Sequence, residues 1–311
     1  MYQTSLTSRA LSGTTNCLIA SSSSCSEMVY SLQGNDASNN TTNNSNLGFR
    51  VSLLVIYIVA LLGGTIGVFL MARFLKKSKN KISITTTSII NLVVAHSLFL
   101  LTLPFRIDYY ATNTWRYPFS FCKLVSISIH IHLYLCFFFY MAILIVRLLT
   151  CLPSRDSYRP LIAFIASAAV WLLLMVSIFP ATWLEYGKMG HYNKGQCFEF
   201  HAEIKKDHVK YINITIGGVV IAACAAVVVF QAVVLTKVVK SSQDNLWSQL
   251  NFRAQLKNLT FLSIMVFCLL PYHVFRIYYV LNIHDKISWH NEIYLSITTL
   301  CCLDLITFLA I

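Results

Sequence analysis

The chain has 311 residues, of which 56% are hydrophobic and 12% are charged, and its formal net charge is +12. Soluble globular domains carry about 25% charged residues, so this composition excludes that class and indicates a chain that needs lipid as part of its solvent. The positive charge does not indicate nucleic acid binding, because the basic residues lie largely at the ends of apolar runs, where they meet anionic headgroups. The lipid bilayer is therefore an expected partner, and nucleic acid is not.

The first element is a polar tail over residues 1–48, rich in Ser, Thr and Asn. It carries the N-glycosylation acceptor pattern Asn-x-Ser/Thr at Asn39, Asn40 and Asn43. Glycosylation at these sites requires the tail to enter the secretory lumen, which would leave the N-terminus outside the cell. The alternative is that a Ser/Asn-rich tail contains such triplets by chance.

Seven apolar runs follow, each long enough for a helix to cross a bilayer, which takes about 20 residues. They predict an all-α membrane protein, a seven-transmembrane helix bundle over residues 49–311 that ends within or just after the seventh helix. An outside N-terminus puts the basic first loop, which contains Lys76, Lys77, Lys79 and Lys81, in the cytoplasm, as the positive-inside rule prefers. The predicted spans are Val51–Phe74, Ile82–Tyr110, Phe119–Cys151, Pro160–Leu184, Tyr211–Lys240, Leu256–Leu281 and Ile293–Ile311.

Two cysteines are predicted to form a disulfide on the outer side of the membrane. Cys122 opens the third predicted span and Cys197 lies in the long loop before the fifth, so both face the oxidising compartment. Their bridge would tie the loop to a helix end; the alternative is two free thiols. The ten cysteines include no CxxC pair and no zinc-type Cys/His spacing, so no metal site and no cofactor are expected.

The spans carry motifs of a known family. Asn91–Ala95 and Leu101–Phe105 look like the second helix of class A (rhodopsin-like) G-protein-coupled receptors. Arg147 ends the third helix where the family has its Asp-Arg-Tyr motif. Phe267–Tyr272 resembles the Cys-Trp-x-Pro segment of helix six, and Asp304–Phe308 occupies the place of Asn/Asp-Pro-x-x-Tyr in helix seven. The resemblance covers nearly all of the chain after residue 50.

The resemblance implies a plasma-membrane receptor that passes the signal of an extracellular ligand to a heterotrimeric G-protein. In such receptors the residue matching Arg147 contacts the G-protein when helix six swings outward, and Pro271, Asp304 and Phe308 belong to motifs that move in activation. Arg147 lacks the acidic neighbour of the family pattern, so raised basal activity is expected. The alternative is that Arg147 is a cation that snorkels to the membrane interface.

His96 departs from the family pattern, because it stands where the helix-two Asp of the family holds a sodium ion. An imidazole with Cys136 opposite offers poor ligands to a hard cation, so no sodium site is expected. Ionisable groups inside a bilayer need partners, and the resemblance places helices two and seven side by side. His96 is therefore predicted to pair with Asp304. The alternative is a neutral His96 bonded to a backbone carbonyl, with Asp304 protonated or bound to water.

The ligand pocket is expected between the outer halves of helices two, three, five, six and seven. His273 and Arg276 share one helix face, with Tyr272 adjacent, and resemble the His-x-x-Arg/Lys pattern of receptors for nucleotides and other anionic ligands. Arg106 and Lys123 would add positive potential at the outer ends of helices two and three. A small anionic, nucleotide-like or lipid-like ligand is therefore predicted. The alternative is that all four basic side chains snorkel to the headgroups.

A transporter or channel is the main alternative function. Transporters commonly contain two matching halves, whereas this chain has an odd number of predicted spans and no evident internal repeat. A membrane metallohydrolase would need its ligands to converge, but His130 and His132 point about 200° apart on a helix. An opsin would need a lysine in helix seven, and Ile293–Ile311 contains none. The chain is therefore not expected to be an enzyme.

Overall fold

The computed structural model describes residues 22–77, 84–149, 159–185, 195–198, 204–241, 258–282 and 285–310. Across these ranges every regular element is helical, in agreement with the all-α prediction. The chain divides into two compact units, Met1–Arg50 and Val51–Ile311. Six helices are long and apolar enough to cross a membrane, and a seventh contains a shorter apolar stretch, Phe164–Pro180.

The spans are numbered here from one to seven in chain order, with Phe164–Pro180 as span four. The other six are Leu47–Lys77, Thr85–Thr112, Phe119–Ile145, Asp207–Thr236, Asn258–Leu281 and Ile287–Leu309. The helices that form the spans are Ser22–Lys77, Ile84–Leu100, Leu103–Thr112, Phe119–Leu149, Arg159–Glu185, Asp207–Ser241, 258–264, Leu270–Leu281, Asp285–Ile297 and Asp304–Ala310, with a π-helical turn at Met265–Leu269 and a 3₁₀ segment at Thr298–Leu303.

The first helix begins at Ser22, well before the predicted start of the first span at Val51. Its membrane-suited part begins at Leu47, close to that prediction. The three predicted glycosylation sites lie on the helical backbone before this point, and their side chains lie outside the described residues. Glycosylation and the outside position of the N-terminus therefore stay predictions.

The prediction for the start of span seven was wrong. The last helix region begins at Asp285 and the span at Ile287, rather than at Ile293. The apolar-run criterion excluded this first part because it contains the polar residues Asn291 and Glu292. Both side chains are buried against partners from other spans, so the bundle interior accommodates polar groups that a lipid-facing helix would not.

Two prolines bend the spans, because a proline has no backbone N–H to donate within a helix. Span two is interrupted by a turn at Leu101 and Thr102, just before Pro104. In span six a π-helical turn precedes Pro271, and the backbone N–H of Leu270 donates to the carbonyl of Met265, five residues earlier. Such turns are frequent at functional sites, since they re-aim the helix that follows.

Span seven is bent without a proline. Its 3₁₀ segment Thr298–Leu303 lies directly before Asp304. The hydroxyls of Thr298 and Thr299 donate to the carbonyls of Leu295 and Ser296, each at 2.6 Å. Hydroxyl donation to carbonyls of the preceding turn is a known cause of helix bending. The segment contains two adjacent buried cysteines, Cys301 and Cys302.

Span one approaches span seven closely because it carries small residues. A Cβ atom added to Gly64 would lie 2.9 Å from the Cβ atom of Cys302 and 2.9 Å from Cδ2 of Leu100 in span two. A Cβ atom on Gly67 would lie 3.2 Å from Ile306. Small residues at these positions let the backbones of membrane helices approach, which is how such bundles gain van der Waals contact.

Candidate functional site

The predicted disulfide between Cys122 and Cys197 is confirmed. The backbone N–H of Trp115 donates to the carbonyl of Gly195 at 2.7 Å and fixes the same loop a second time. The bridge places Phe198 beside the ends of spans two and three that are predicted to lie outside the cell, called the outer ends from here on. Its ring is buried there and packs on Tyr110. The loop therefore supplies an aromatic wall to the outer half of the bundle.

Arg106 of span two is buried in this region, with 1% of its surface exposed. Its Nη2 atom donates to the carbonyl of Val125 at 3.0 Å and Nη1 to the hydroxyl of Tyr57 at 3.4 Å. The guanidinium carbon lies 4.4 Å from the ring centroid of Phe198. Among the described residues nothing pairs with Nε. Arg106 does not snorkel to headgroups; it points into the protein with one polar atom unpaired.

Arg276 of span six is held by two neutral amides. Its Nε atom donates to Oδ1 of Asn213 in span five at 3.0 Å, and Nη1 donates to Oδ1 of Asn291 in span seven at 3.2 Å. Its guanidinium carbon lies 5.7 Å from the ring centroid of Tyr279. These contacts fix the orientation of the guanidinium group without cancelling its charge, since neither amide is ionised.

Glu292 of span seven was missed by the sequence analysis. Its Oε2 atom accepts a hydrogen bond from the hydroxyl of Tyr110 at 3.4 Å, and its carboxylate interacts electrostatically with both Arg106 and Arg276. Two guanidinium groups and one carboxylate therefore lie in the same region. The only sequence signal for it was a Glu directly after an Asn at the start of an apolar run, which is too common to carry a prediction.

The other predicted pocket residues of span six, Tyr272 and His273, are both buried. The His273 ring lies 6.0 Å from the ring of Tyr134 in span three and 5.2 Å from that of Tyr272. Its Nε2 atom is buried without a hydrogen-bond partner in the described part of the chain. Arg276 acts electrostatically on His273 and also on His130 of span three, so these side chains share one region.

Lys123 lies apart from this region. Its ammonium donates to the carbonyl of Trp183 at 3.2 Å, and it lies over the rings of Phe119 and Trp183. None of the contacts described for it involves Arg106 or Arg276. The outer cluster is defined from here on as Arg106, Arg276, Glu292, His130 and His273, together with the aromatic residues Tyr57, Tyr110 and Phe198.

A cavity of about 260 Å³ lies elsewhere, between spans two, three and four. It shares no residue with the outer cluster. Its lining is apolar apart from a few polar side chains, and consists of Ala95, Leu98, Phe99, Thr102, Leu124, Ile127, Ser128, Ile131, His132, Leu135, Trp171, Met175 and Phe179. The predicted ligand region and this cavity are therefore different places in the bundle.

The middle of the bundle contains a second polar group, centred on the pair proposed from the sequence. The Nε2 atom of His96 lies 3.1 Å from Oδ1 of Asp304, and both side chains are fully buried. The hydroxyl of Tyr140 donates to the other carboxylate oxygen of Asp304 at 2.6 Å. This geometry corresponds to the predicted pair rather than to its alternative, in which His96 binds a backbone carbonyl.

Apart from Asp304 and Cys136, the neighbours of His96 were not predicted. Its Nδ1 atom lies 2.8 Å from Nε2 of His132 in span three. Three buried thiols surround the two rings, those of Cys136, Cys301 and Cys302. The sequence placed only Cys136 opposite His96, whereas His132, Cys301 and Cys302 join them because spans two, three and seven pack together.

The predicted activation residues are placed as follows. The side chain of Arg147 lies outside the described residues. Pro271 follows the π-helical turn of span six. The Phe308 ring in span seven lies 5.4 Å from that of Phe261 in span six, which lies 5.6 Å from that of Tyr140 in span three. A run of aromatic contacts thus links the inner halves of three spans.

Comparison with known proteins gives the following matches. The family model described as 7 transmembrane receptor (rhodopsin family) matches residues 64–305. "Probable G-protein coupled receptor 141" from Homo sapiens is 41% identical over 281 residues, which is 86% of this chain and 92% of that protein. "2-oxoglutarate receptor 1" from Rattus norvegicus is 24% identical, over 80% of this chain and 75% of its own length. "Cysteinyl leukotriene receptor 2" from Sus scrofa is 28% identical, over 83% and 76% respectively.

Proposed function

Since the chain belongs to the rhodopsin family of seven-transmembrane, G-protein-coupled receptors, we propose that the extracellular ligand it responds to is a small organic anion, bearing a carboxylate or phosphate, that binds at the outer cluster. The family and its several receptor relatives leave the transporter or channel alternative without support. The observation that carries the proposal is the charge of the outer cluster. One buried and one half-buried arginine lie in the same region as a single carboxylate, that of Glu292, so the formal charge of these three groups is +1 and an anion would neutralise it.

The unpaired polar atoms of this region support the same ligand class. Arg106 Nε and His273 Nε2 are buried and lack partners within the described ranges. A buried polar atom without a partner costs about 1–3 kcal/mol, which a ligand that accepts or donates a hydrogen bond there recovers on binding. Guanidinium groups suit carboxylate and phosphate oxygens because they present planar donors to both.

The relatives provide a further argument. The names of two of them state ligands that are organic acids: 2-oxoglutarate for one and a cysteinyl leukotriene for the other. The outer cluster of the present chain adds aromatic walls, Tyr57, Tyr110 and Phe198, which would cover the apolar body of such an acid. We therefore favour an acid with a compact carbon skeleton over inorganic phosphate.

The test is a G-protein activation panel in cells that express the surface-tagged receptor, with 2-oxoglutarate, a nucleoside diphosphate and a leukotriene as probes. Arg106→Met and Arg276→Met should each raise the half-maximal concentration of an active probe by about tenfold or more, since a charge-assisted hydrogen bond contributes about 1.5–3 kcal/mol. Glu292→Gln should lower it, because the substitution removes the carboxylate that competes with the ligand.

Lys123→Met is the matched control, because it removes a nearby outer cation that lies apart from the cluster. Equal surface density of all variants is checked through the tag. Equal potency of an acidic probe on the wild type and on both arginine variants would contradict the proposal. Activation by a neutral or cationic compound alone would contradict it as well.

For signalling at the inner face, the proposal is that Arg147 contacts a heterotrimeric G-protein at the plasma membrane and that its missing acidic neighbour raises basal activity. Arg147→Ala should abolish basal and ligand-evoked signalling at matched surface density. Basal signalling that rises with surface expression no more steeply than in an empty-vector control would contradict the second part.

The N-terminus is proposed to lie outside the cell, with glycans on Asn39, Asn40 and Asn43. Treatment of the intact receptor with a peptide N-glycosidase should lower its apparent mass. The triple Asn→Gln variant should run at the lower mass without treatment. An unchanged mass of the wild type would contradict the glycosylation.

A further inference from the structure

Four side chains that commonly bind metals converge in the middle of the bundle. His96, His132, Cys136 and Cys301 each offer one ligand atom, and these atoms all lie within 4.8 Å of one another. They come from spans two, three and seven, and all four side chains are buried. Convergence of two imidazoles and two thiols on one point is unusual for a buried core, because histidine is seldom buried without a specific partner.

The distances between the ligand atoms fit a tetrahedral zinc site. With Zn–N bonds of about 2.0–2.1 Å and Zn–S bonds of about 2.3 Å, the edges of the tetrahedron measure about 3.4 Å between nitrogens, 3.6 Å between nitrogen and sulfur, and 3.8 Å between sulfurs. Nε2 of His132 lies 3.5 Å from Sγ of Cys136, and Nδ1 of His96 lies 3.9 Å from the same sulfur. Sγ of Cys136 lies 3.6 Å from Sγ of Cys301.

The separation of the two nitrogens is the one short edge, at 2.8 Å between His96 Nδ1 and His132 Nε2. This is a hydrogen-bond distance, and the two rings would need to separate by about 0.6 Å to accept zinc at ideal geometry. The structure thus gives four of the six edges of the tetrahedron, and three of these four lie within 0.3 Å of the tetrahedral values. The other two edges, from Sγ of Cys301 to the two imidazole nitrogens, are no longer than 4.8 Å.

One of the two imidazoles, that of His96, has a hydrogen-bond partner for its other ring nitrogen. His96 Nε2, the nitrogen on the far side of the ring from the cluster, lies 3.1 Å from the carboxylate of Asp304. Zinc-binding histidines characteristically donate their other N–H to a carboxylate or carbonyl, which fixes the tautomer and raises the basicity of the ligating nitrogen. Asp304 is itself oriented by Tyr140, whose hydroxyl donates to its second oxygen at 2.6 Å.

The chemistry of the ligands selects the ion. Thiolate and imidazole ligands suit zinc, whereas sodium, magnesium and calcium take oxygen ligands. Two thiolates cancel the charge of Zn²⁺, which matters inside a bilayer, where an uncompensated charge is costly. The only carboxylate in contact with the described cluster is that of Asp304, and His96 and Tyr140 already occupy it.

We infer that this receptor binds one Zn²⁺ ion in the middle of its bundle through His96, His132, Cys136 and Cys301, with Asp304 as the second-shell partner of His96. Cys302 is the neighbouring thiol, 3.6 Å from His132 Nε2 and 3.7 Å from His96 Nδ1, and is placed to substitute for Cys301. The ion would tie spans two, three and seven together. The inference does not depend on the ligand proposed for the outer cluster.

The experiment uses the full chain, purified in detergent through a peptide epitope tag rather than a polyhistidine tag. Zinc content is measured by mass spectrometry after dialysis against a zinc buffer. One Zn²⁺ per receptor is expected for the wild type. Cys136→Ser combined with Cys301→Ser should lose it, and Asp304→Asn should weaken zinc affinity by about tenfold to a hundredfold. Cys224→Ser, which removes a buried thiol of span five outside the cluster, should retain one zinc.

Cobalt substitution keeps the test decisive if a variant fails to fold. Wild-type receptor loaded with Co²⁺ should show the ligand-field bands of a tetrahedral ion and sulfur-to-cobalt charge-transfer absorption. Comparing Cys301→Ser with Cys302→Ser identifies the fourth ligand. Absence of both spectral features, zinc content well below one per receptor, or zinc unaffected by the Cys136 and Cys301 substitutions would overturn the inference.

Discussion

The outer cluster and the His/Cys group in the middle of the bundle place polar residues in the same apolar bundle in opposite ways. The outer cluster holds an excess of positive charge and leaves two buried nitrogens, on Arg106 and His273, without partners among the described residues. In the middle group, His96, Asp304 and Tyr140 bind one another directly, and among the described residues of this group only Nδ1 of His132 is buried without a partner. The difference agrees with the proposal of an exchangeable ligand at the outer cluster, and it makes the middle group a permanent contact between helices.

The two regions should also contribute differently to the thermal stability of the receptor. Breaking a pair that is satisfied internally leaves a buried polar group behind, which is costly. Substituting a residue whose polar atoms are paired only when a ligand is bound should alter ligand affinity more than the free energy of unfolding. The middle of the bundle should therefore dominate the thermal stability of the purified receptor, and the outer half should dominate its ligand response.

The largest effect is expected from Asp304→Ala. The substitution leaves His96 and Tyr140 without their shared acceptor in a fully buried position, at a cost of about 3–5 kcal/mol. The measurement is the midpoint of thermal unfolding in detergent, followed by size-exclusion chromatography with fluorescence detection. Asp304→Asn is the control, since its side-chain oxygen can still accept one hydrogen bond and the loss should be smaller. An unchanged midpoint for Asp304→Ala would remove the distinction between the two regions.

A smaller loss of thermal stability is expected from Gly64→Val, which tests the close approach of span one to the middle of the bundle. The added Cβ atom would lie 2.9 Å from Cys302 and from Leu100, so the helices must separate, at about 1–3 kcal/mol. Gly218→Val is the matched control, because a Cβ atom there meets nothing within 4 Å. Equal thermal midpoints for the two variants would show that this approach is not close in solution.

Trp171→Phe should lower the free energy of unfolding by about 1 kcal/mol. It removes the hydrogen bond from Nε1 of Trp171 in span four to Oδ1 of Asn91 in span two, which measures 2.9 Å. A double-mutant cycle with Asn91→Ala isolates the interaction between the two side chains. A coupling energy near zero would mean that this bond does not help hold span four against the bundle.

The smallest effect is expected from Lys123→Met, which sharpens the boundary of the outer cluster. Lys123 donates to a single carbonyl and lies over two rings, contacts that contribute about 1 kcal/mol or less at a half-exposed site. Its thermal midpoint and its response to an acidic probe should both match the wild type. A response weakened as strongly as in Arg276→Met would extend the ligand site to Lys123.

Much of the fold could be predicted from the chain alone, because crossing a bilayer imposes a length of apolar helix that a sequence displays directly. The helices of spans three, four and five begin within a few residues of the predicted positions. Span seven was predicted to start too late, since Asn291 and Glu292 are tolerated only through partners on other helices. A search for apolar runs along the sequence cannot detect those partners, because they lie on other helices.

The two polar regions also differ in how many of their residues could be predicted from the sequence. In the sequence, Arg106 stood out as a basic residue at the outer end of helix two, and His273 and Arg276 stood out as a His-x-x-Arg pattern. The pair of His96 and Asp304 followed from the family resemblance, which places helices two and seven side by side. Glu292 and the thiols of Cys301 and Cys302 did not stand out, since an isolated cysteine in an apolar run is ordinarily a core residue. His132 was considered only together with His130, which points to another side of the helix.

The sequence by itself determined that this protein spans a membrane with apolar helices, which family it belongs to, and which cysteines close its outer loop. These properties depend on hydrophobic length and on motifs local to one segment. Only the tertiary structure decided which polar side chains meet, such as Arg276 with Asn213 and Asn291, or His96 with His132 and three thiols. Such contacts join residues up to about two hundred positions apart along the chain, because the packing of spans two, three and seven sets them and no spacing within one helix can.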